Sequence, residues 1–463
     1  MPRHCSLPIH GPWLRNVVLL GLAWVCLGAG KFGSLVDPAD RVLETQLGNG
    51  LTVLSLEDHT TPVVSFQIWV KVGSKDESRY TGLAHLFEHM MFKGSANVAP
   101  EIHARLIEGR GGRINAFTSR DVTVYFEDVT AESLPLVIDL EAERFQNLQI
   151  TERTLASERQ VVLEERRLRT EDSPEGRAFE ALAALAWRSN TYRRPVIGWK
   201  EDVEQVPVAA CQRFFDNYYV PNNMIVVVVG DFETEATLGQ IRRAFGPLQP
   251  AAQIPRNPIR EPDQRGERRT VIEFDLQSPI LLAAWHAPAA GHPDAEALDV
   301  ASEILSAGRS SRLYRALVYE AEAALYAYGG YWELKNAGLF YASAGVRPGV
   351  PVERVESLFF EEIARMQKEG VLESEVAKAK RQLEVALVEG LTTSHSVAAR
   401  IGQEMAVFGR VRPLRERMDA VRRVTAEDVQ RVMRTYLRAD QRSVVHVVQP
   451  AAREEDASEG GLP

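Results

Sequence analysis

The chain has 463 residues, 45% of them hydrophobic, and a formal net charge of −9 from 54 basic and 63 acidic side chains. A chain of this length can bury a large core, and the acidic balance excludes the basic surface that nucleic-acid binding needs. Two of the three cysteines, Cys5 and Cys26, lie in the N-terminal 30 residues, which leaves Cys211 and excludes a fold held by internal disulfides.

The N-terminal 30 residues predict a secretory signal peptide. Arg3 and Arg15 are followed by an apolar run at residues 17–27 and by small residues at 28–30. A basic segment, a short apolar segment and small residues at the cleavage site are the parts of such a peptide. We therefore expect cleavage near residue 30 and a periplasmic or secreted protein. The alternative is that the segment stays uncleaved and anchors the protein, which would be its only expected contact with a membrane. The short apolar run disfavours this alternative.

Residues 62–72 predict a buried strand, and residues 82–92 predict a helix that is apolar on nearly every face. The helix carries His85, Glu88 and His89, which spell H-x-x-E-H, the inverted form of the zinc-peptidase motif. Because residues four apart share a helix face, both imidazoles can bind one ion with Glu88 beside them as a base. A metal also explains these polar groups, since a buried polar side chain without a partner costs several kcal/mol.

Residues 111–125, GGRINAFTSRDVTVY, predict a glycine turn followed by a strand. Thr118, Val122 and Val124 are typical of a pleated surface. Asn115, taken by itself, is also a typical turn residue.

The stretch 151–171, TERTLASERQVVLEERRLRTE, predicts a long helix with Thr151 as its N-cap. Its inward-facing residues are predicted to be Leu155, Val162, Leu163 and Leu168. A catalytic zinc ion needs a third protein ligand from elsewhere in the fold, and this helix is the best source. Glu158 and Glu165, seven apart, share one face, so one could bind the metal and the other support the site. Glu164 competes with Glu165, because the two lie about 100° apart around the helix and cannot both face the ion.

These motifs resemble the pitrilysin/insulinase (M16) family of zinc peptidases, specifically its short bacterial branch related to the β subunit of the mitochondrial processing peptidase. In that family a ligand glutamate follows the H-x-x-E-H helix by about 75 residues, and here 165 − 89 = 76. The segments 111–125, 192–198 and 214–231 also resemble the family, the last as a scaffolding strand.

The resemblance implies a role for each acidic and imidazole group of the site. One zinc ion per chain is expected to bind His85, His89 and Glu165, with Glu88 as the general base and Glu158 as an accessory acidic residue. Glu164 then becomes a flanking charge. The implied activity is hydrolysis of peptides or unfolded segments by a zinc-dependent endopeptidase.

The resemblance also implies where the substrate binds. In the family, the strand within 111–125 pairs through its free edge with the backbone of the peptide. Asn115, Ala116 and Thr118 are therefore the expected substrate-binding residues.

The chain is predicted to consist of two homologous halves with an α+β fold. Residues 40–246 form the zinc-bearing unit, 247–268 a linker rich in proline and charge, and 269–450 a second unit without metal. Residues 451–463 are expected to be a disordered tail. The resemblance implies that two such α/β-sandwich domains form half of a clamshell.

An internal repeat supports this division. Residues 279–286 and 295–306 repeat the pattern of the buried strand and the metal helix. If Glu303 is matched with Glu88, Val300 and Ile304 stand where the histidines are. The second half is therefore predicted to keep the scaffold and lack the metal.

The second half also lacks an arginine and a tyrosine, seven apart, that usually bind substrate opposite the zinc in the family. Val318 and Leu325 stand in their places, and a small shift would offer Arg315, Tyr326 or Tyr328 instead. We therefore predict that the chain is the zinc-bearing subunit of a heterodimer whose homologous partner supplies the Arg/Tyr pair. A homodimer is the alternative.

Two other functions belong to related folds. A non-catalytic scaffold of a respiratory complex is disfavoured because the motif is intact, and a quorum-signal-type metal lyase is disfavoured by the length and the duplication.

Overall fold

The computed structural model of the protein describes residues 37–257 and 260–450. The predicted signal peptide at 1–30 and the predicted tail at 451–463 lie outside these ranges. Among the helices within them, none combines the length and apolarity needed to span a bilayer.

The first half folds around a six-stranded sheet with the order β1-β2-β6-β3-β5-β4. The strands are β1 Leu43–Gln46, β2 Thr52–Glu57, β3 Val63–Val70, β4 Arg113–Thr118, β5 Thr123–Thr130 and β6 Met224–Gly230. The helices are α1 Leu83–Met90, α2 Ile102–Glu108, α3 Leu134–Asn147, α4 Glu152–Arg166, α5 Pro174–Ala186, α6 Lys200–Gln205, α7 Val208–Tyr218 and α8 Thr234–Phe245.

The second half folds around a five-stranded sheet with the order β7-β11-β8-β10-β9. The strands are β7 Arg268–Glu273, β8 Ile280–Ala287, β9 Ala324–Glu333, β10 Gly338–Val346 and β11 Arg442–Val448. The helices are α9 Ala295–Ser306, α10 Val352–Glu369, α11 Glu373–Glu389, α12 Ser394–Phe408, α13 Leu414–Arg423 and α14 Ala426–Tyr436.

Apart from β1, the two sheets have the same topology. In each, the first and last strands pair in parallel, β2 with β6 and β7 with β11, and the remaining pairs are antiparallel. Strands β4 and β9 are the matching edges. The predicted α+β fold of two homologous units is therefore confirmed. At the positions matched to the histidines, Val300 and Ile304 of α9 are buried in an apolar core, 0% and 1% exposed.

Each half contributes one helix to the other half. Ala398, Ile401 and Met405 of α12 pack with β2, β3 and β6 on the outer face of the first sheet. Leu182 and Ala186 of α5 pack with β8 and β11 on the second sheet. The sequence predicts two separate units, and this exchange of helices is a finding of the structure. Because both faces of the central strands are covered in this way, β6 is buried at every residue.

Candidate metal centre

The helix that carries H-x-x-E-H is held at its N-terminus by a buried carboxylate. Glu77, 1% exposed, accepts hydrogen bonds from the backbone N–H groups of Gly82 at 3.1 Å and Ala84 at 2.9 Å. Gly82 has a φ of 78°, and a Cβ there would lie 2.5 Å from the carbonyl oxygen of Ile197. A glycine is thus required where α1 begins. Burial raises the pKa of Glu77 well above its usual value.

Glu77 is not among the site residues that the sequence predicts. An acidic residue shortly before a helix is favourable because the free N–H groups of the first turn attract negative charge. That signal is present in the sequence, but it does not say which acidic residue reaches the helix.

We expect Glu77→Ala to lower the free energy of unfolding by about 2–4 kcal/mol, because two buried N–H groups lose their acceptor. Denaturant unfolding followed by circular dichroism measures the change. Glu132→Ala, which removes an exposed carboxylate from the same half, is the matched control and should change stability little. Equal losses in the two variants would contradict this role of Glu77.

Helix α1 is buried on nearly every side, as predicted. Leu86, Phe87 and Met90 are fully buried in the core of the first half, and His85 and Glu88 are each only 9% exposed. Burial and the neighbouring His89 lower the pKa of His85 to about 4, so its imidazole is neutral, the form that binds a metal.

Helix α4 follows the prediction until its last turn. Thr151 caps its start, and Leu155 and Val162 are fully buried, as expected. After α4 the chain continues as a π-helical turn, Arg167–Glu171, which changes the helical register. Leu168 is therefore 57% exposed, and the prediction that it faces inward is wrong.

Helices α1 and α4 bring three potential metal ligands together. One ligand atom each from His85, His89 and Glu165 lies within 4.8 Å of the other two. Nε2 of His89 is 3.4 Å and Nε2 of His85 is 3.8 Å from the Glu165 carboxylate. Ligand atoms about 2.0–2.1 Å from a tetrahedral zinc ion are roughly 3.3–3.4 Å apart. These residues therefore fit the ion in both donor chemistry and spacing.

The structure separates the two competing glutamates. The side chain of Glu164 is 57% exposed, and its carboxylate lies 2.6 Å from Arg167 on the outer side of α4. The side chain of Glu165 is 18% exposed and faces both histidines. Glu165 is thus the glutamate placed to complete the ligand set.

Glu158 lies behind His89, on the side away from Glu165. One carboxylate oxygen is 3.5 Å from Nδ1 of His89, and the other is 2.9 Å from the Lys93 ammonium group. Burial lowers the pKa of His89, but the carboxylates of Glu158 and Glu165 outweigh it and raise that pKa to about 9. A carboxylate in this place would hold the ring with Nε2 towards a metal ion bound by the three candidate ligands. Glu158 is therefore a positioning residue for His89.

We expect Glu158→Gln to weaken zinc binding by about 10–100-fold, because the carboxylate that orients His89 is lost. Competition with a chromophoric chelator measures the affinity. Glu152→Gln, on the exposed first turn of α4, should leave it unchanged. A zinc affinity of Glu158→Gln equal to that of the wild type would remove this role from Glu158.

Glu88 is held by a hydroxyl of the predicted substrate strand. Oγ1 of Thr118 donates a hydrogen bond to Oε2 of Glu88 at 2.5 Å. Burial raises the pKa of Glu88 above its usual value, which makes the carboxylate a stronger proton acceptor. Thr118 is one of the predicted substrate-binding residues, and its contact with Glu88 is a finding of the structure.

Strand β4 is the edge strand next to the ligands. It pairs with β5, with Asn115 opposite Phe126 and Ala116 opposite Tyr125, and its other edge has no partner strand among the residues described. The Asn115 side chain accepts a hydrogen bond from the backbone N–H of Ala116 at 2.9 Å. The predicted substrate-binding residues border, together with the three candidate ligands and Glu88, a cavity of about 900 Å³.

The second half contributes Trp332, on β9, to this cavity. The residues offered as substitutes for the Arg/Tyr pair lie elsewhere. Arg315 forms an exposed ion pair with Glu320 at 3.0 Å, and the rings of Tyr326 and Tyr328 lie against each other, 5.7 Å between centroids. Within the described ranges, none of the three substitutes borders the cavity.

Comparison with known proteins agrees with this architecture. Residues 52–200 match the model of the insulinase family (peptidase family M16), and residues 206–383 match that of the peptidase M16 inactive domain. Zinc protease PqqE of Helicobacter pylori is 31% identical over 388 residues, which cover 82% of this chain and 87% of that protein. The chain belongs to the M16 family of peptidases.

Further M16 relatives confirm the resemblance to the mitochondrial branch. A probable mitochondrial-processing peptidase subunit β of Arabidopsis thaliana is 26% identical over 421 residues, 87% of this chain and 77% of that protein. The crystal structure of a protease from Helicobacter pylori superimposes with a TM-score of 0.85 at 28% identity, covering 89% of this chain and 99% of that one.

Proposed function

We propose that this M16 chain is a zinc-dependent endopeptidase, with His85, His89 and Glu165 as metal ligands and Glu88 as general base. The observation that carries the proposal is the meeting of three ligand atoms within 4.8 Å, beside a buried carboxylate. The similarity to a zinc protease of Helicobacter pylori supports it.

The chain's own groups provide the proton transfers of the reaction. A zinc ion, when bound, supplies Lewis-acid polarisation of the scissile carbonyl and makes a water molecule more acidic. Glu88 accepts a proton from the attacking water and delivers it to the leaving nitrogen. The hydrogen bond from Thr118 fixes one oxygen of Glu88, so the other oxygen is free for this transfer. Glu158 keeps His89 oriented during the cycle.

The free edge of β4 supports a peptide substrate in extended form. An edge strand pairs with any backbone through its N–H and C=O groups, so side-chain selectivity has to come from the cavity walls. Because a folded protein rarely presents a free extended segment, the proposed substrates are peptides and unfolded segments.

Hydrolysis of a quenched peptide library by the mature chain, together with its partner subunit if activity requires one, tests this function. We expect activity that disappears with a chelator and returns with zinc. Hydrolysis that survives complete removal of metal would overturn the proposal.

We further propose that activity requires a homologous partner subunit that supplies the Arg/Tyr pair. The motivation is that none of the three candidate substitutes borders the cavity in the described residues. The expected result is that the chain alone binds zinc but turns over slowly, and that adding an M16 homologue without H-x-x-E-H restores turnover. Full activity of the chain by itself, as a monomer or a homodimer, would exclude the heterodimer.

We also propose that the protein is exported, because its N-terminal 30 residues have the pattern of a signal peptide. N-terminal sequencing of the native protein should find a start near residue 31 in an extracytoplasmic fraction. An intact N-terminus in the cytoplasm would contradict export.

A further inference from the structure

We propose that Arg120 is a specificity-determining residue that binds a carboxylate group of the peptide substrate close to the scissile bond. The proposal rests on the proposed peptidase function and adds a preference to it. It is carried by the position of Arg120, by the contacts that orient its guanidinium, and by the lack of a carboxylate partner.

Arg120 lies in the turn between β4 and β5, two residues after Thr118, which contacts the general base. Its carbonyl accepts a hydrogen bond from the backbone N–H of Lys75 at 3.1 Å. Gly73 packs so closely that a Cβ there would lie 2.5 Å from the carbonyl carbon of Arg120. The backbone of the turn is therefore fixed, and the arginine side chain starts from a defined point.

The side chain of Arg120 is oriented by both halves of the molecule. Its Nε donates a hydrogen bond to the carbonyl of Tyr192 at 3.2 Å, and the guanidinium carbon lies 4.1 Å from the ring centroid of Trp332. Stacking on an aromatic face leaves the planar edge of the guanidinium free, with the two terminal nitrogens as donors. Because Arg120 borders the same cavity as the zinc ligands, a bound peptide can reach this edge.

The guanidinium of Arg120 has no carboxylate within ion-pair distance among the residues that the structure describes. The adjacent Asp121 is directed elsewhere, to the Lys75 ammonium at 2.6 Å and the Tyr192 hydroxyl at 2.7 Å. Burial lowers the pKa of Arg120 to about 10, so the group stays charged near neutral pH.

Other basic side chains at the cavity are already paired. Arg169 lies 2.6 Å from Glu165, and Lys93 lies 2.9 Å from Glu158. Arg120 therefore differs from them in offering an unused charge. A partly buried guanidinium with two free nitrogens favours a carboxylate, which it can bind through two parallel hydrogen bonds.

The place of Arg120 limits which substrate carboxylate it can reach. Two residues of chain span at most about 7 Å, so the Cα of Arg120 lies no farther than that from the Cα of Thr118, whose hydroxyl contacts the general base. A substrate residue in extended form advances about 3.3 Å, so the bound carboxylate belongs to a residue within about three positions of the cleaved bond. Either an acidic side chain or the C-terminal carboxylate of a short peptide provides this chemistry.

The test compares kcat/KM for matched peptides, using the complete enzyme with its partner subunit if activity requires one. Glu is exchanged for Gln at each of the three positions on either side of the cleaved bond, and the C-terminus is either free or amidated. The variants are Arg120→Gln and Arg120→Glu. Arg110→Gln, which removes an exposed charge outside the cavity, is the matched control.

The wild-type enzyme and Arg110→Gln should prefer the carboxylate peptide over its neutral match by about tenfold or more, since hydrogen bonds to charged groups are the stronger ones. Arg120→Gln should lose this preference, so that the ratio of kcat/KM for the carboxylate peptide to kcat/KM for its neutral match falls to about one. Arg120→Glu should prefer a lysine at the same position, a gain that misfolding cannot produce. The position of the sensitive residue distinguishes an acidic side chain from a terminal carboxylate.

An unchanged carboxylate preference in Arg120→Gln, or no preference in the wild type, would overturn the assignment of Arg120 while the peptidase function stands. Loss of cleavage of every peptide by the wild-type enzyme with zinc and partner would instead overturn the peptidase function, and this inference with it.

Discussion

Glu88→Gln is expected to lower kcat by about 10²–10⁴-fold, the usual contribution of a general base, while zinc and peptide remain bound. Glutamine has nearly the shape of glutamate, and its amide oxygen can still accept the hydrogen bond from Thr118. It cannot take a proton from water, because the amide is not basic. Single-turnover and steady-state kinetics with a quenched peptide measure the loss, and zinc content shows that the site is intact.

The matched control for this prediction is Glu108→Gln. Glu108 borders the same cavity but is exposed. If the negative charge of the cavity mattered more than proton transfer, the two variants would be similarly impaired. A kcat for Glu88→Gln close to that of the wild type would mean that another group accepts the proton.

Glu165→Ala is expected to lose zinc, because one of three protein ligands is removed and no other carboxylate among the described residues faces both histidines. The loss of affinity should exceed the roughly 10–100-fold that follows removal of a supporting carboxylate such as Glu158. Metal content after dialysis against a weak chelator, measured by plasma mass spectrometry, gives the result.

Glu164→Ala is the control for this prediction, since Glu164 is the adjacent residue with the same chemistry. Its carboxylate pairs with Arg167 at the surface, and an exposed pair of this kind contributes little. The variant should therefore keep stoichiometric zinc. Retention of zinc by Glu165→Ala together with its loss from Glu164→Ala would reverse the ligand assignment.

The fold could be predicted in outline because the sequence repeats its own pattern. A strand followed by an apolar helix occurs in both halves, and strands that are apolar throughout indicate sheets covered on both faces. What covers those faces could not be predicted. The helices α5 and α12 have apolar sides that fit either sheet, and only the packed chain shows that each lies on the sheet of the other half.

The error at Leu168 has a related cause. Helical periodicity through residues 151–171 predicts a single inward face, but the hydrogen bonding changes to a π-helical turn after α4. A wider turn rotates every later side chain around the axis, so periodicity assigns the wrong face from that point on.

The sequence by itself brought together the two candidate metal-binding histidines and the candidate base. His85, Glu88 and His89 lie within one helical turn, and the geometry of that turn is local, so their spacing alone places them together. It also determined the acidic character of the chain and, through its repeat, the two-unit fold.

Only the tertiary structure decided which distant groups complete the site. Among the residues themselves, the structure places Glu165 and not Glu164 beside His89. It also places the hydroxyl of Thr118 on Glu88, the carboxylate of Glu77 on the start of α1 and the ring of Trp332 under Arg120. Each of these contacts joins different elements. Such contacts depend on how helices and strands rotate and pack against one another. A spacing along the chain fixes distances within one helix, but it does not fix the rotation of one element relative to the next.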